Sequence, residues 1–116
     1  MSMEQVIKEN TEEQAAVFAV LSDPTRLRLV KLLCRQHGSH ALCVNALANL
    51  LGVTQSAISQ HLRILKSIGL VKGERRGYHV HYLINPDVLE QCQGIVSTLL
   101  TIEEPSKEEK SKNPIN

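Results

Sequence analysis

The residues with the clearest chemistry lie between positions 54 and 63. Thr54, Gln55, Ser56, Ser59, Gln60, His61 and Arg63 all carry hydrogen-bonding side chains, and none is acidic. On the N-terminal half of a helix they form a polar face able to meet base edges. A Gln amide matches adenine N6 and N7, and Ser or Thr can contact any base edge. Backbone amides at a helix N-terminus suit phosphate oxygens. Downstream, Arg75 and Arg76 lie between Gly73 and Gly77, with Tyr78 and His79 just beyond. A cationic loop at the tip of a hairpin suits the adjacent phosphate backbone or minor groove. His61 and His79 are read as DNA contacts with this set. His79 and His81 alternate on one strand face, where a two-histidine metal site is the other reading.

The charge map favours a polyanion. The whole chain of 116 residues balances 13 Lys+Arg against 12 Asp+Glu, a formal +1. By position the balance splits. Residues 24–82 hold nine basic residues (Arg26, Arg28, Lys31, Arg35, Arg63, Lys66, Lys72, Arg75 and Arg76) against one acid, Glu74. The remaining positions hold four lysines and eleven acids. A merely solvated surface mixes both signs; a basic middle between acidic ends points to nucleic acid.

A second constellation is Cys34, His37, His40 and Cys43, each three residues apart. Two thiolates and two imidazoles make a complete tetrahedral set for zinc or another thiophilic metal. Set against this, Cys34 falls on an apolar stripe and reads as core. His37 and His40 read as loop residues, and Cys43 occupies a helix N-cap. Cys92 lies on an apolar stripe that favours a buried, inert thiol.

These side chains need elements to hold them. Glu4–Leu21 reads as one helix. Ser22-Asp23-Pro24 stops it and starts a second, in which Leu27, Val30, Leu33 and Cys34 recur at helical spacing until Gly38-Ser39. Cys43–Leu51 and Thr54–Ser67 follow as a helix pair around Gly52-Val53, with the small Ala48 and Gly52 permitting close approach. Thr54 is the N-cap and Gly69 the C′ residue. Leu70-Val71 and Tyr78–Leu83 read as strands joined by a turn over 72–77. Asn85-Pro86-Asp87 opens a last helix with a wide apolar stripe of Val88, Cys92, Ile95 and Leu99. The expected class is mainly α with a small β-hairpin, in the order α-α-α-α-β-β-α. Residues 1–102 form the domain, and 103–116 a charged, disordered tail.

Three stretches carry a family resemblance: LSDPTRLRLVKLL at 21–33, VNALANLLGVTQSAISQHLRILKSIGLV at 44–71, and GERRGYHVHYLI at 73–84. They resemble the entry segment, helix-turn-helix and wing of the ArsR/SmtB repressors, over about residues 10–102. The resemblance implies a winged helix-turn-helix homodimer joined by its first and last helices. It implies a repressor that an effector, a metal ion or a thiol, redox or sulfur signal, releases from a pseudo-palindromic operator. It also implies redox or persulfide sensing through one Cys in the second helix and one in the last, which here are Cys34 and Cys92. The known metal sites are incomplete here. Where one family site has Cys-Val-Cys, this chain reads Leu42-Cys43-Val44-Asn45. A second site uses histidines on the last helix, and residues 85–116 contain none, although Asp87 matches one ligand. Two other readings remain: a constitutive or architectural DNA binder without an effector, and a protein-interaction winged helix.

Other classes find little support. No Gly-rich phosphate loop or paired carboxylates point to an enzyme. Phe18, Tyr78 and Tyr82 are too few for a base-stacking single-strand reader. No apolar run approaches the ~18 residues that span a bilayer. No secretory signal opens the chain, and three cysteines make no even disulfide framework, so the expected compartment is the cytoplasm.

Overall fold

Asn10 adopts a left-handed conformation at φ 62° and divides what reads as one N-terminal helix into two. The computed structural model describes residues 2–36 and 42–105. The expected helix stop at Gly38-Ser39, His37, His40 and the tail beyond 105 lie outside the described residues. α1 (Met3–Lys8) is opened by a capping box between Ser2 and Gln5 and buries nothing. α2 (Thr11–Leu21) buries Gln14, Val17 and Val20. The break follows from Asn10, a residue type that tolerates positive φ; no loss of helical periodicity marks it in advance.

α3 (Pro24–Arg35) starts as expected. Asp23 accepts a hydrogen bond from the Arg26 N–H at 3.0 Å, and Pro24 occupies the first turn. Its apolar phase differs from the expected one. Leu29 and Leu33 are buried, whereas Leu27 and Cys34, seven residues apart, are exposed. The reading of Cys34 as core is thereby corrected. A sequence this rich in leucine offers more than one stripe, and packing selects among them.

Two residues, Leu42 and Cys43, form β1, which the expected order lacked. β1 is too short to show alternation; it is held by pairing to β3 and by Gln36, whose side chain donates to the Tyr82 carbonyl and accepts from the Leu42 N–H. α4 (Val44–Leu51) buries Leu47 and Ala48, and α5 (Gln55–Ser67) buries Ile58, Leu62 and Leu65. Between them Gly52 takes φ 67°, and a Cβ there would meet nothing within 4 Å. Its requirement is therefore the backbone turn, not the close helix approach expected of it. The end of α5 is a Schellman motif. Gly69 N–H donates to the Lys66 carbonyl and Leu70 N–H to that of Leu65, with Gly69 at φ 76°.

β2 (Val71–Arg76) and β3 (His79–Ile84) complete an antiparallel sheet in the order β1-β3-β2. Arg76 pairs with His79, so the loop is only Gly77-Tyr78. Gly77 at φ 66° suits the first position of a two-residue hairpin turn. The turn expected over 72–77 is strand for most of its length. α6 (Pro86–Leu99) is capped by Asn85, with Pro86 in its first turn, and buries Cys92.

The core gathers Leu29, Leu47, Ile58, Leu62, Leu65 and Leu70, all essentially inaccessible. Each such side chain contributes about 1.5–3 kcal/mol by burial. This core fixes α5 and the sheet on α3 and α4, while α6 packs on α2. Among the described residues no helix is long and apolar enough to cross a membrane.

Candidate nucleic-acid interface

The buried face of α5 dictates its exposed one. With Ile58, Leu62 and Leu65 inward, Thr54, Gln55, Ser56, Ser59, Gln60 and Arg63 are all exposed. Thr54 caps the helix by accepting from the Ala57 N–H at 3.0 Å. That engages the Ala57 amide and leaves the Gln55 and Ser56 amides without an intrahelical acceptor. Gln55 donates to Asn45 Oδ1 at 2.8 Å and so ties the start of α5 to α4. Ser56, Ser59, Gln60 and Arg63 are spaced by 3, 1 and 3 residues and share one helix face. Among the described residues they have no hydrogen-bond or ion-pair partner. Four uncommitted polar side chains on one face can meet a ligand without first breaking protein contacts.

His61 differs from its neighbours. Its side chain is 19% exposed, and its Nδ1 stands 3.3 Å from Arg26 Nη1 and 3.9 Å from Asp23 Oδ2. The structure turns this edge of the ring towards α3 and away from the free face. The Arg26 backbone N–H holds the Asp23 carboxyl below the usual carboxylate range; burial works against this, and the charges of His61 and Arg26 add to it.

The wing is anchored beside α5. Lys66 Nζ lies 6.0 Å from the centre of the Tyr82 ring, at the outer reach of a cation–π contact. Arg75 and Arg76 are the last residues of β2 rather than tip residues, so their side chains point to opposite faces. Arg76 pairs with Glu74 at 3.2 Å. Tyr78 occupies the tip and is 98% exposed; His79 beside it is exposed. His81 is half-buried, opposite Cys43 on one side and Glu74 on the other, and its Nδ1 is buried without a partner among the described residues.

The metal and thiol residues do not form a complete site. Cys34, Cys43 and Cys92 are free thiols: exposed, half-buried and buried in that order. Among the described residues no group of three His, Cys, Asp or Glu side chains is placed to hold a metal ion. Burial pushes the Cys92 thiol above its ordinary range, as expected of an inert cysteine. Sequence reasoning missed the Arg26–His61 bridge. It spans 35 residues of chain, so no periodicity announces it.

An exposed polar recognition helix, a capping first helix and a paired wing define a winged helix-turn-helix. Residues 23–72 match the arsR family of bacterial regulatory proteins. The chain is 44% identical over 82 residues to a transcriptional repressor SmtB homolog of Synechocystis sp., covering 71% of this chain and 55% of that one. It therefore spans about half the length of that relative. It is 39% identical over 83 residues to a helix-turn-helix-type transcriptional regulator of Methanocaldococcus jannaschii, covering 71% of this chain and 90% of that one. In structure it is similar to a homodimeric winged helix-turn-helix DNA-binding domain from Mycobacterium bovis. The TM-score is 0.60 and the identity 26%, over 91% of this chain and 96% of that one. The chain belongs to the arsR family, and its class is that of a DNA-binding transcriptional regulator.

Proposed function

We propose that this chain is a homodimeric repressor that reads a pseudo-palindromic operator in double-stranded DNA. The observation that carries the reading is the free face of Ser56, Ser59, Gln60 and Arg63, within a stretch from Pro24 to Gly73 that contains no acid. α5 lies in the major groove, and Arg75, Arg76, Tyr78 and His79 of the wing meet the flanking backbone. The dimer is supported by exposed apolar side chains on α1, α2 and the end of α6 with its C-cap: Met3, Val6, Ile7, Phe18, Leu99 and Leu100. Such a patch on a small domain suits a two-fold partner, and the M. bovis relative is described as homodimeric. Half-sites then fall about one helical turn apart.

Of the three thiols, Cys34 is exposed and Cys43 half-buried, so these are the two that an effector such as a thiophilic metal or an oxidant can reach.

Selection from a random duplex library tests the reading. The expected result is an enriched inverted repeat whose affinity falls steeply with salt. Gln60→Ala should then alter preference at one base pair by about 1–3 kcal/mol. Failure to enrich any sequence, or binding indifferent to salt, overturns it.

A further inference from the structure

Arg26 belongs to the first turn of α3, yet its side chain serves two other helices. Nε donates to the Val20 carbonyl at 2.5 Å and Nη2 to the Ala19 carbonyl at 3.5 Å. Both carbonyls lie in the last turn of α2, beyond the intrahelical backbone donors; that of Ala19 also accepts from the Ser22 hydroxyl at 3.0 Å, so the Val20 contact is the main one. A cation there also meets the negative end of that helix. The remaining nitrogen, Nη1, stands 3.3 Å from Nδ1 of His61 on α5. A guanidinium donates only, so Nδ1 is the acceptor in this contact. Asp23 Oδ2 lies 3.9 Å from the same ring nitrogen but is already engaged by the Arg26 backbone N–H at 3.0 Å. One side chain from α3 thus binds the end of α2 and the middle of α5.

We propose that Arg26, acting through His61, is a positioning residue that sets the angle of α5 against α2. The inference rests on the reading of α5 as the DNA-reading helix and α2 as part of the dimer side. His61 follows Gln60 directly and lies within one turn of Ser59 and Arg63. A shift at its ring therefore moves the groups that reach base edges. Contacts to bases depend on direction and close distance, whereas attraction to phosphate is long-ranged. Releasing the clamp costs operator affinity and spares non-specific affinity. His61 is then not a phosphate ligand, although its position on α5 suggests one.

The test compares wild type, Arg26→Gln, His61→Leu, His61→Asn and the Arg26→Gln/His61→Leu double variant. Each is measured on the wild-type-selected operator and on an unrelated duplex, at two salt concentrations, after melting curves establish that it is folded. His61→Leu and Arg26→Gln should each weaken operator binding roughly ten-fold, the worth of one charge-assisted hydrogen bond. Binding to the unrelated duplex and the salt slope should stay unchanged. His61→Asn places an amide oxygen near the position of Nδ1 and should restore most of the loss. The double variant should be no weaker than the weaker single, because both changes break one contact. The proposal is overturned if His61→Leu weakens both duplexes alike and lowers the salt slope, which marks a phosphate contact. It is equally overturned if the two losses add, or if the variants bind as wild type does. Should Arg26→Gln fail to fold, the contrast between His61→Leu and His61→Asn decides alone. If wild type selects no operator, the proposed function itself fails, a result distinct from every other.

Discussion

Arg75 and Arg76 are neighbours in the chain but lie on opposite faces of the wing. Arg75 is opposite Val80, on the side shared with Tyr82, the ring that Lys66 of α5 approaches; Arg76 is opposite His79, on the side shared with Glu74. Arg76 is also ion-paired with Glu74 at 3.2 Å. The two arginines therefore contribute unequally to phosphate binding. Arg75→Ala should flatten the plot of log affinity against log salt by about 0.9, one phosphate's worth. Arg76→Ala should flatten it less, because part of its charge is already answered, and Glu74→Gln should strengthen binding. Fluorescence anisotropy with a labelled operator measures all three. Equal slopes for the two arginine variants would contradict the face assignment.

Gly73 is where the wing is tightest. A Cβ built on it would stand 2.9 Å from Val80 Cγ1 and 3.4 Å from Tyr82 Cε1. Gly73→Ala should destabilise the protein by about 1–3 kcal/mol, the usual cost of overpacking. Val80→Ala removes the opposing methyl, so adding it should recover much of the loss. Thermal melts of the two single variants and the double variant form the test cycle. Strictly additive losses would mean that the two side chains do not meet.

The reader face was legible because three signals coincided: a Thr cap, buried positions at 58, 62 and 65, and a run without acids. The caps at Asp23 and Asn85 were legible for the same local reason, since each depends on residues two or three positions away. What escaped depends on distant partners. β1 has two residues and exists only through pairing with β3. The phase of α3 was misjudged because Leu27 and Leu29 are equivalent until a neighbouring helix chooses between them. Asn10 carries a helix break that composition alone does not announce. The length of β2 was underestimated because Lys72–Arg76 is polar, and polar residues at an exposed hairpin read as turn.

Asp23 makes helix capping depend on pH in a defined direction. Its carboxyl is held below the usual range chiefly by the Arg26 N–H. A depressed value in the folded state means that the ionised form stabilises. That contribution is present above the unfolded carboxylate value of about 3.9 and disappears as the pH falls through the lower folded value. Asp23→Asn keeps a capping side chain without the charge. Its Tm should lie below wild type at pH 5–7 and approach it in acid, as the pH falls below about 4. A gap between the two melting curves that stays constant from pH 7 to pH 2.5 would show that the charge does not matter.

Cys34, Cys43 and Cys92 should report three different environments. Attack by a thiol needs the thiolate and access to the sulfur. Cys34 is exposed and Cys43 half-buried, whereas Cys92 is 8% exposed and burial pushes its thiol up. Mass spectrometry of the native protein after iodoacetamide should find Cys34 modified first and Cys43 more slowly. Cys92 should be modified only after denaturation. The same order should govern polysulfide, so the Cys34–Cys92 pair suggested by family resemblance should stay unlinked in folded protein. A Cys34–Cys92 disulfide formed under native conditions would reverse this conclusion. It would require α6 to move off the core, and operator release on oxidation would then run through the last helix.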